Sequence, residues 1–222
     1  MERLVCLAIG YCFGLFQTAY FYGKMKGIDI RQYGSGNAGT TNTLRVLGTK
    51  AGLIVLLGDI VKTILAVVVA TLLFKESHPD TIYLLKLYAG MGAILGHNFP
   101  FYMNFKGGKG IAATAGVILG LLDWRIICVC LTAFLLTVVI TRYVSLGSLI
   151  VVTLFFVSFL VLGYHGAIVN TALNEPYLGN ELIESYVIIF LFASLAFYRH
   201  KANIVRLVQG NENKLFDKKK DE

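Results

Sequence analysis

Apolar runs of about 20 residues alternate with short polar stretches along this chain. A bilayer imposes that pattern, because a spanning segment must satisfy its own backbone hydrogen bonds. Seven runs are read: Leu4–Tyr22, Ala51–Phe74, Thr81–Phe99, Gly110–Leu122, Ile126–Ile140, Val144–Tyr164 and Leu182–Phe197. They predict an all-α integral membrane protein, a polytopic helical bundle with about seven transmembrane helices. The fourth and fifth runs are short for a bilayer. A reading with five or six spans, in which these two form one hairpin turning at Asp123-Trp124-Arg125, stays open. Composition agrees with the class: 15% of residues are charged, where a soluble domain carries roughly a quarter. The first run has a single cation, Arg3, before it and no small-x-small cleavage site after it. It is expected to be a retained span rather than a signal peptide.

Orientation follows from the cations. With the N-terminus outside and the C-terminus cytoplasmic, fifteen Lys and Arg fall in inner segments and only Arg3, Lys75 and Arg125 in outer ones. The net charge of +7 is then explained by anionic lipid headgroups, with no need for nucleic acid. One membrane domain is expected over residues 1–198, with cytoplasmic motif loops at 23–50 and 99–110. A cytoplasmic segment follows at 199–222, its charged end Asp217–Glu222 disordered. The cysteines, Cys6, Cys12, Cys128 and Cys130, all lie in apolar runs and are expected to be buried packing residues.

In this topology the unusual polar residues gather on one side, in three clusters. The first is Gly34-Ser35-Gly36-Asn37-Ala38-Gly39-Thr40-Thr41-Asn42-Thr43-Leu44-Arg45. Its glycines permit close backbone approach, Ser35, Asn37 and Asn42 offer compact polar groups, and Arg45 suits a phosphate. The second is Gly96-His97-Asn98-Phe99-Pro100, then Phe105-Lys106-Gly107-Gly108-Lys109-Gly110. It should open the fourth helix. The N–H groups of Gly107 and Gly108, with the Lys106 and Lys109 charges, are expected to face a phosphate. It is not a Walker A loop, since Met103 stands where the first glycine belongs and Gly110 follows Lys109. The third is Arg199-His200-Lys201-Ala202-Asn203-Ile204-Val205-Arg206-Leu207, with Gly210 and Glu212. A helix there puts His200 and Asn203 on one face, flanked by Arg199 and Arg206. Asp59 and Lys62, three residues apart inside the second span, are expected to form a local ion pair.

On these clusters the sequence resembles the bacterial acyl-phosphate:glycerol-3-phosphate acyltransferase family. The likeness rests on Gly34-Ser35-Gly36-Asn37 with Asn42 and Arg45, on Gly96-His97 with Pro100 and Phe105 to Gly110, on His200, Asn203-Ile204, Arg206-Leu207, Gly210 and Glu212, and on Asp59-x-x-Lys62. It covers almost the whole chain in order, with Lys201 after His200 where Arg is usual and Thr63 after Lys62 where Gly is common. The resemblance implies acyl transfer from acyl phosphate to the primary hydroxyl of glycerol 3-phosphate, giving lysophosphatidic acid and inorganic phosphate in phospholipid synthesis. It implies a multi-pass protein of the bacterial cytoplasmic membrane with its active site facing the cytoplasm, and no metal or other cofactor. The inner loops agree on metal, having no carboxylate cluster of the kind Mg²⁺ needs. Acyl-chain preference and oligomeric state are not legible.

For such chemistry Ser35, His200 and Asn203 are the candidate catalytic residues. Gly36, Asn37, Asn42, Arg45, His97, Lys106, Gly107, Gly108 and Lys109 are the candidate substrate-binding ones. Ser35 stands in Gly-Ser-Gly, not in a Gly-x-Ser-x-Gly elbow, so it reads as a hydrogen-bond donor rather than a nucleophile. Three groups remain open as the base: His200, His97 and the substrate's own phosphate. Asn203 would orient them. An organic-phosphate transporter is the main competitor, but no internal repeat is found and the polar clusters lie at one interface. A metal-dependent phosphotransferase would need repeated aspartates that are missing. None of the four histidines has an Asp five residues on, which excludes His-x4-Asp acyltransferases.

Overall fold

The protein is described by a computed structural model over residues 1–170 and 172–215. Its helices are α1 (Glu2–Gly14), α2 (Thr18–Met25), α3 (Thr40–Leu47), α4 (Thr49–Phe74), α5 (Ile82–Asn98), α6 (Ile111–Leu121), α7 (Trp124–Thr141), α8 (Val144–Tyr164), α9 (Asn180–Arg199) and α10 (Lys201–Val208). Every apolar run read from the sequence carries a helix. Among the described residues, five segments are long and apolar enough to cross a membrane: Glu2–Met25, α4, α7, α8 and α9. Helix α5 has 17 residues and α6 has 11, short of the ~20 that span a hydrocarbon core. Both are cut by the loop between them. Pro100 disfavours helix at Phe99 and cannot continue it, and α6 starts only after the glycine run, at Gly110 with φ of 83°.

Helix α5 is the central post. Of its residues from Ile82 to Leu87, all six are buried. It packs on α1, α4, α6 and α9. Its contact with α1 is backbone to backbone. A Cβ added at Gly10 would strike the Ala89 carbonyl, and one at Gly96 would strike the Tyr11 carbonyl. Small residues four apart on both helices therefore set this crossing, as membrane helices without a hydrophobic driving force require. A second apolar core joins α5 to α8 and α9 through Tyr83, Phe155, Phe159 and Phe192.

The first expected span is not continuous. It breaks at Leu15–Gln17, between α1 and α2. Gln17 is wholly buried, and its amide donates to the carbonyls of Gly14 at 3.1 Å, Gly96 at 3.2 Å and His97 at 3.1 Å. One side chain thus satisfies carbonyls at the ends of two helices, groups that hydrocarbon cannot satisfy. The cysteine expectation needs correction too: Cys6 and Cys130 are buried, but Cys12 and Cys128 are exposed on the apolar outer surface, and all four are free thiols.

At the end of the bundle holding the N-terminus, Arg3 grips Glu184 of α9 through two bonds of 2.9 and 3.0 Å. Nearby, the 165–180 loop forms a two-residue hairpin, Val169–Asn170 with Glu175–Pro176. Asn170 ties it to Pro79, and Arg125 reaches the Ala167 carbonyl at 2.8 Å. After α10 the chain turns back, and the Leu215 N–H donates to the Arg142 carbonyl at 2.7 Å. The charged run Asp217–Glu222, expected to be disordered, lies outside the described residues.

Candidate active site

The three polar clusters converge on one cavity of about 610 Å³. Residues 29–37 form one wall, 106–109 another, and 199–213 the third. Ser35, Gly36, Asn37, Lys106, Gly107, Lys109 and Asn203 all line it. Three further lining cations were not among the candidate site residues: Arg31, counted for topology, and Arg199 and Arg206, placed as the flanking charges of the third cluster. Five cationic side chains thus face the cavity against one carboxylate, Asp29. Asp29 is itself spent on Arg31, in two bonds of 3.0 and 2.7 Å. A concave, cation-rich site of this volume suits phosphorylated ligands.

The first wall owes its shape to Asn42. This residue is 1% exposed and does not reach the cavity. Its amide nitrogen donates to the Ile30 carbonyl at 3.1 Å and the Tyr33 carbonyl at 3.0 Å. Its oxygen accepts from the Ser35 N–H at 2.8 Å and the Ser35 hydroxyl at 3.1 Å. Asn42 therefore folds the loop from inside, and the binding role expected of it has no support in its bonds or in the cavity lining. Ser35 is left exposed at the cavity with no histidine beside it to activate it. Arg45, expected to bind phosphate, is not among the lining residues; it donates to the carbonyl of Asn213, which is, at 3.2 Å.

The second wall inverts the expected use of its glycines. The Gly107 N–H donates to the Asn98 carbonyl and the Gly108 N–H to the His97 carbonyl, each at 3.1 Å. Both donors cap the end of α5 and are not free for a phosphate. Their carbonyls are held by Arg199, from Nη2 at 2.9 Å to each and from Nε at 3.2 Å to Gly108. Gly107 still borders the cavity; Gly108 lies behind it. Glycine is required for another reason. A Cβ at Gly108 would collide with the His97 ring and come within 2.9 Å of the Ala38 carbonyl. His97 is 3% exposed and lies outside the cavity lining, so it supports the wall instead of binding at it. Its Nδ1 is 3.0 Å from the Lys62 ammonium. An ammonium has no lone pair, so Nδ1 accepts and the proton sits on Nε2.

In the third wall Lys109 donates to Asn203 Oδ1. Glu212 fixes that amide by accepting from Asn203 Nδ2 at 2.8 Å, and it also takes Arg206 Nε at 2.8 Å. Burial pulls the Lys109 amine down to about 8; Glu212 opposes this and Arg206, Arg199 and Arg45 add to it. His200, at the junction of α9 and α10, is buried behind this wall. Its Nδ1 lies 2.8 Å from the Ala196 carbonyl, so Nδ1 carries the proton and Nε2 keeps the lone pair. Burial, reinforced by Lys109, pulls its pKa down to about 4, and it is neutral near pH 7. Among the described residues no group of three or more His, Cys, Asp or Glu could hold a metal ion.

Fold and site together define a polytopic helical membrane protein with a phosphate-suited, cationic cavity at one end of its bundle. The family model for glycerol-3-phosphate acyltransferase matches residues 4–210, and the chain belongs to that family. It is 43% identical over 221 residues to a glycerol-3-phosphate acyltransferase of Halalkalibacterium halodurans, covering 99% of this chain and 98% of the relative. It is 39% identical over 224 residues to one from Chlorobaculum parvum, covering 96% of each. Crystal structures of PlsY, an integral membrane glycerol 3-phosphate acyltransferase, share the fold. The glycerol 3-phosphate form superposes with a TM-score of 0.80 at 29% identity, covering 96% of each chain. The lysophosphatidic acid form gives 0.77 at 28% identity, covering 96% of this chain and 95% of that one.

Proposed function

We propose that this protein transfers an acyl group from acyl phosphate to the primary hydroxyl of glycerol 3-phosphate, forming lysophosphatidic acid. The observation that carries this reading is the convergence of Arg31, Lys106, Lys109, Arg199 and Arg206 on one cavity beside Ser35, Asn37 and Asn203. Two phosphate groups enter the reaction, and one cavity supplies cations for both. The hydroxyl oxygen attacks the acyl carbonyl carbon, the bond from that carbon to the phosphate oxygen breaks, and inorganic phosphate leaves with the electron pair. Holding both substrates in line supplies much of the rate, since the donor is already an activated anhydride.

Ser35 acts as hydrogen-bond donor to phosphate or to the developing oxyanion. A nucleophilic role would need a base beside it, and the Ser35 hydroxyl instead donates to the Asn42 amide oxygen. The base is narrowed by the two imidazoles. His97 has committed its lone pair to Lys62. His200 has a free lone pair, but a pKa of about 4 makes it a weak proton acceptor. A substrate phosphate, with a second pKa of about 6, is the stronger base. We assign the proton to it, and to His200 and Asn203 the orientation of the groups around Lys109. Purified protein in detergent should release phosphate from palmitoyl phosphate in the presence of glycerol 3-phosphate and give no product with palmitoyl-CoA. Equal rates with both donors would reject the assignment.

The cavity is assigned to the cytoplasmic face of a bacterial cytoplasmic membrane, with the N-terminus outside. The charge distribution supports this, and so does the alternation of contacts. Arg3, Pro79, Arg125, Ala167 and Glu184 meet at one end of the bundle, whereas residues 29–37, 106–109, 142 and 199–215 meet at the other. Seven passes of the chain fit that alternation, with α6 as a short pass. A Lys26→Cys protein lacking its native cysteines should be labelled by a membrane-impermeant maleimide in inside-out vesicles and not in intact cells, since Lys26 is exposed in the first inner loop. Labelling of intact cells would reverse the orientation.

A further inference from the structure

Asp59 and Lys62 are 1% and 4% exposed within α4, one turn apart, with Nζ to Oδ1 at 2.8 Å. Two buried charges need only each other, yet these reach further. The Lys62 ammonium also lies 2.6 Å from the Phe16 carbonyl and 3.3 Å from the Gly14 carbonyl, where α1 ends, and 3.0 Å from His97 Nδ1. Asp59 accepts the Thr18 hydroxyl at 3.0 Å, at the first residue of α2. The pair therefore holds both sides of the α1–α2 break and the ring that backs Gly108. Helix α2 leads into the first wall, and Gly107 and Gly108 are in the second. Further ties cross the same gap: Tyr11 hydroxyl to the Phe99 carbonyl at 2.9 Å and Tyr102 hydroxyl to the Leu15 carbonyl at 2.6 Å.

We propose that the Asp59–Lys62 pair is a positioning dyad that fixes the two facing cavity walls relative to each other and so sets the affinity of the site for phosphate. The proposal deepens the reading of the cavity as a phosphate site but does not depend on the acyl chemistry. It makes the break in the first span functional: a continuous helix would offer Lys62 no free carbonyls and would carry the chain past the first wall. Removing one member of a buried pair is costly, so a milder change is needed beside the obvious one. Thr18→Val deletes one bond to Asp59 and keeps both charges.

The test measures how well inorganic phosphate protects Lys109 from acetylation in detergent, mapped by mass spectrometry, with folding checked by thermal unfolding. Lys62→Met should raise the phosphate concentration needed for protection by about tenfold, the scale at which a supporting shell acts on a site. Thr18→Val should shift it in the same direction by less, and Lys62→Arg should recover part of the loss. A folded Lys62→Met protein protected at wild-type phosphate concentrations would overturn the proposal. If Lys62→Met does not fold, wild-type protection in Thr18→Val overturns it. Wild-type activity with palmitoyl phosphate and glycerol 3-phosphate, measured separately, tests the reaction itself.

Discussion

Gly108→Ala is expected to lower acyl transfer by more than about 100-fold, the cost of misplacing a positioning wall by an ångström or so. The added methyl has nowhere to go. It would meet the His97 ring on one side and the Ala38 carbonyl at 2.9 Å on another. The ring cannot move away freely, because Lys62 holds it from behind. The loop must shift instead, breaking the N–H bond to the His97 carbonyl and the Arg199 bonds to both glycine carbonyls. Lys109 is the next residue, so its amine moves with the loop. Both a higher KM for glycerol 3-phosphate and a lower kcat are expected, because positions of binding and reacting groups change together. Steady-state kinetics on protein with a cooperative unfolding transition decides it. Wild-type kinetics in Gly108→Ala would show that the wall has more room than the geometry allows.

The spans and the site clusters were largely legible in the sequence, because hydropathy and local chemistry are written in order along the chain. That Ser35, Lys109 and Asn203 meet across a cavity also followed from placing all three at one interface. What could not be read is direction. The glycine run was correctly expected to precede a helix, but its N–H groups turn back to cap α5, and no residue type says which way an amide points. Asn42 has the chemistry of a ligand-binding amide and spends all of it on its own loop. Arg199 and Arg206 read as charges flanking the His200–Asn203 face, but no residue pattern says that Arg199 grips the glycine carbonyls of the second wall. The break at Leu15–Gln17 left one signal, a glutamine inside an apolar run. Two of its three partners lie on α5, about 80 residues away, and only the folded chain brings them to it.

The pH profile separates the remaining roles. Lys109 must be charged to grip phosphate, and its pKa of about 8 lies well below that of a free lysine. The charged form exists below that pKa, so kcat/KM should fall as pH rises through about 8. Bound phosphate favours the charged amine, so the limb in kcat should lie at higher pH than the limb in kcat/KM. Lys109→Arg keeps a charge to far higher pH and should move the alkaline limb out of the accessible range. Lys109→Met should lose about 100-fold or more, near 3 kcal/mol, the worth of a cation aimed at charge in a sheltered site. The acid side carries the second half of the argument. If a substrate phosphate takes the proton, activity falls as pH drops through about 6. If His200 takes it, the limb lies near 4 instead. His200→Gln should therefore leave an acid limb near 6 in place while lowering the rate. A wild-type acid limb near 4 that disappears in His200→Gln would return the role of base to the histidine.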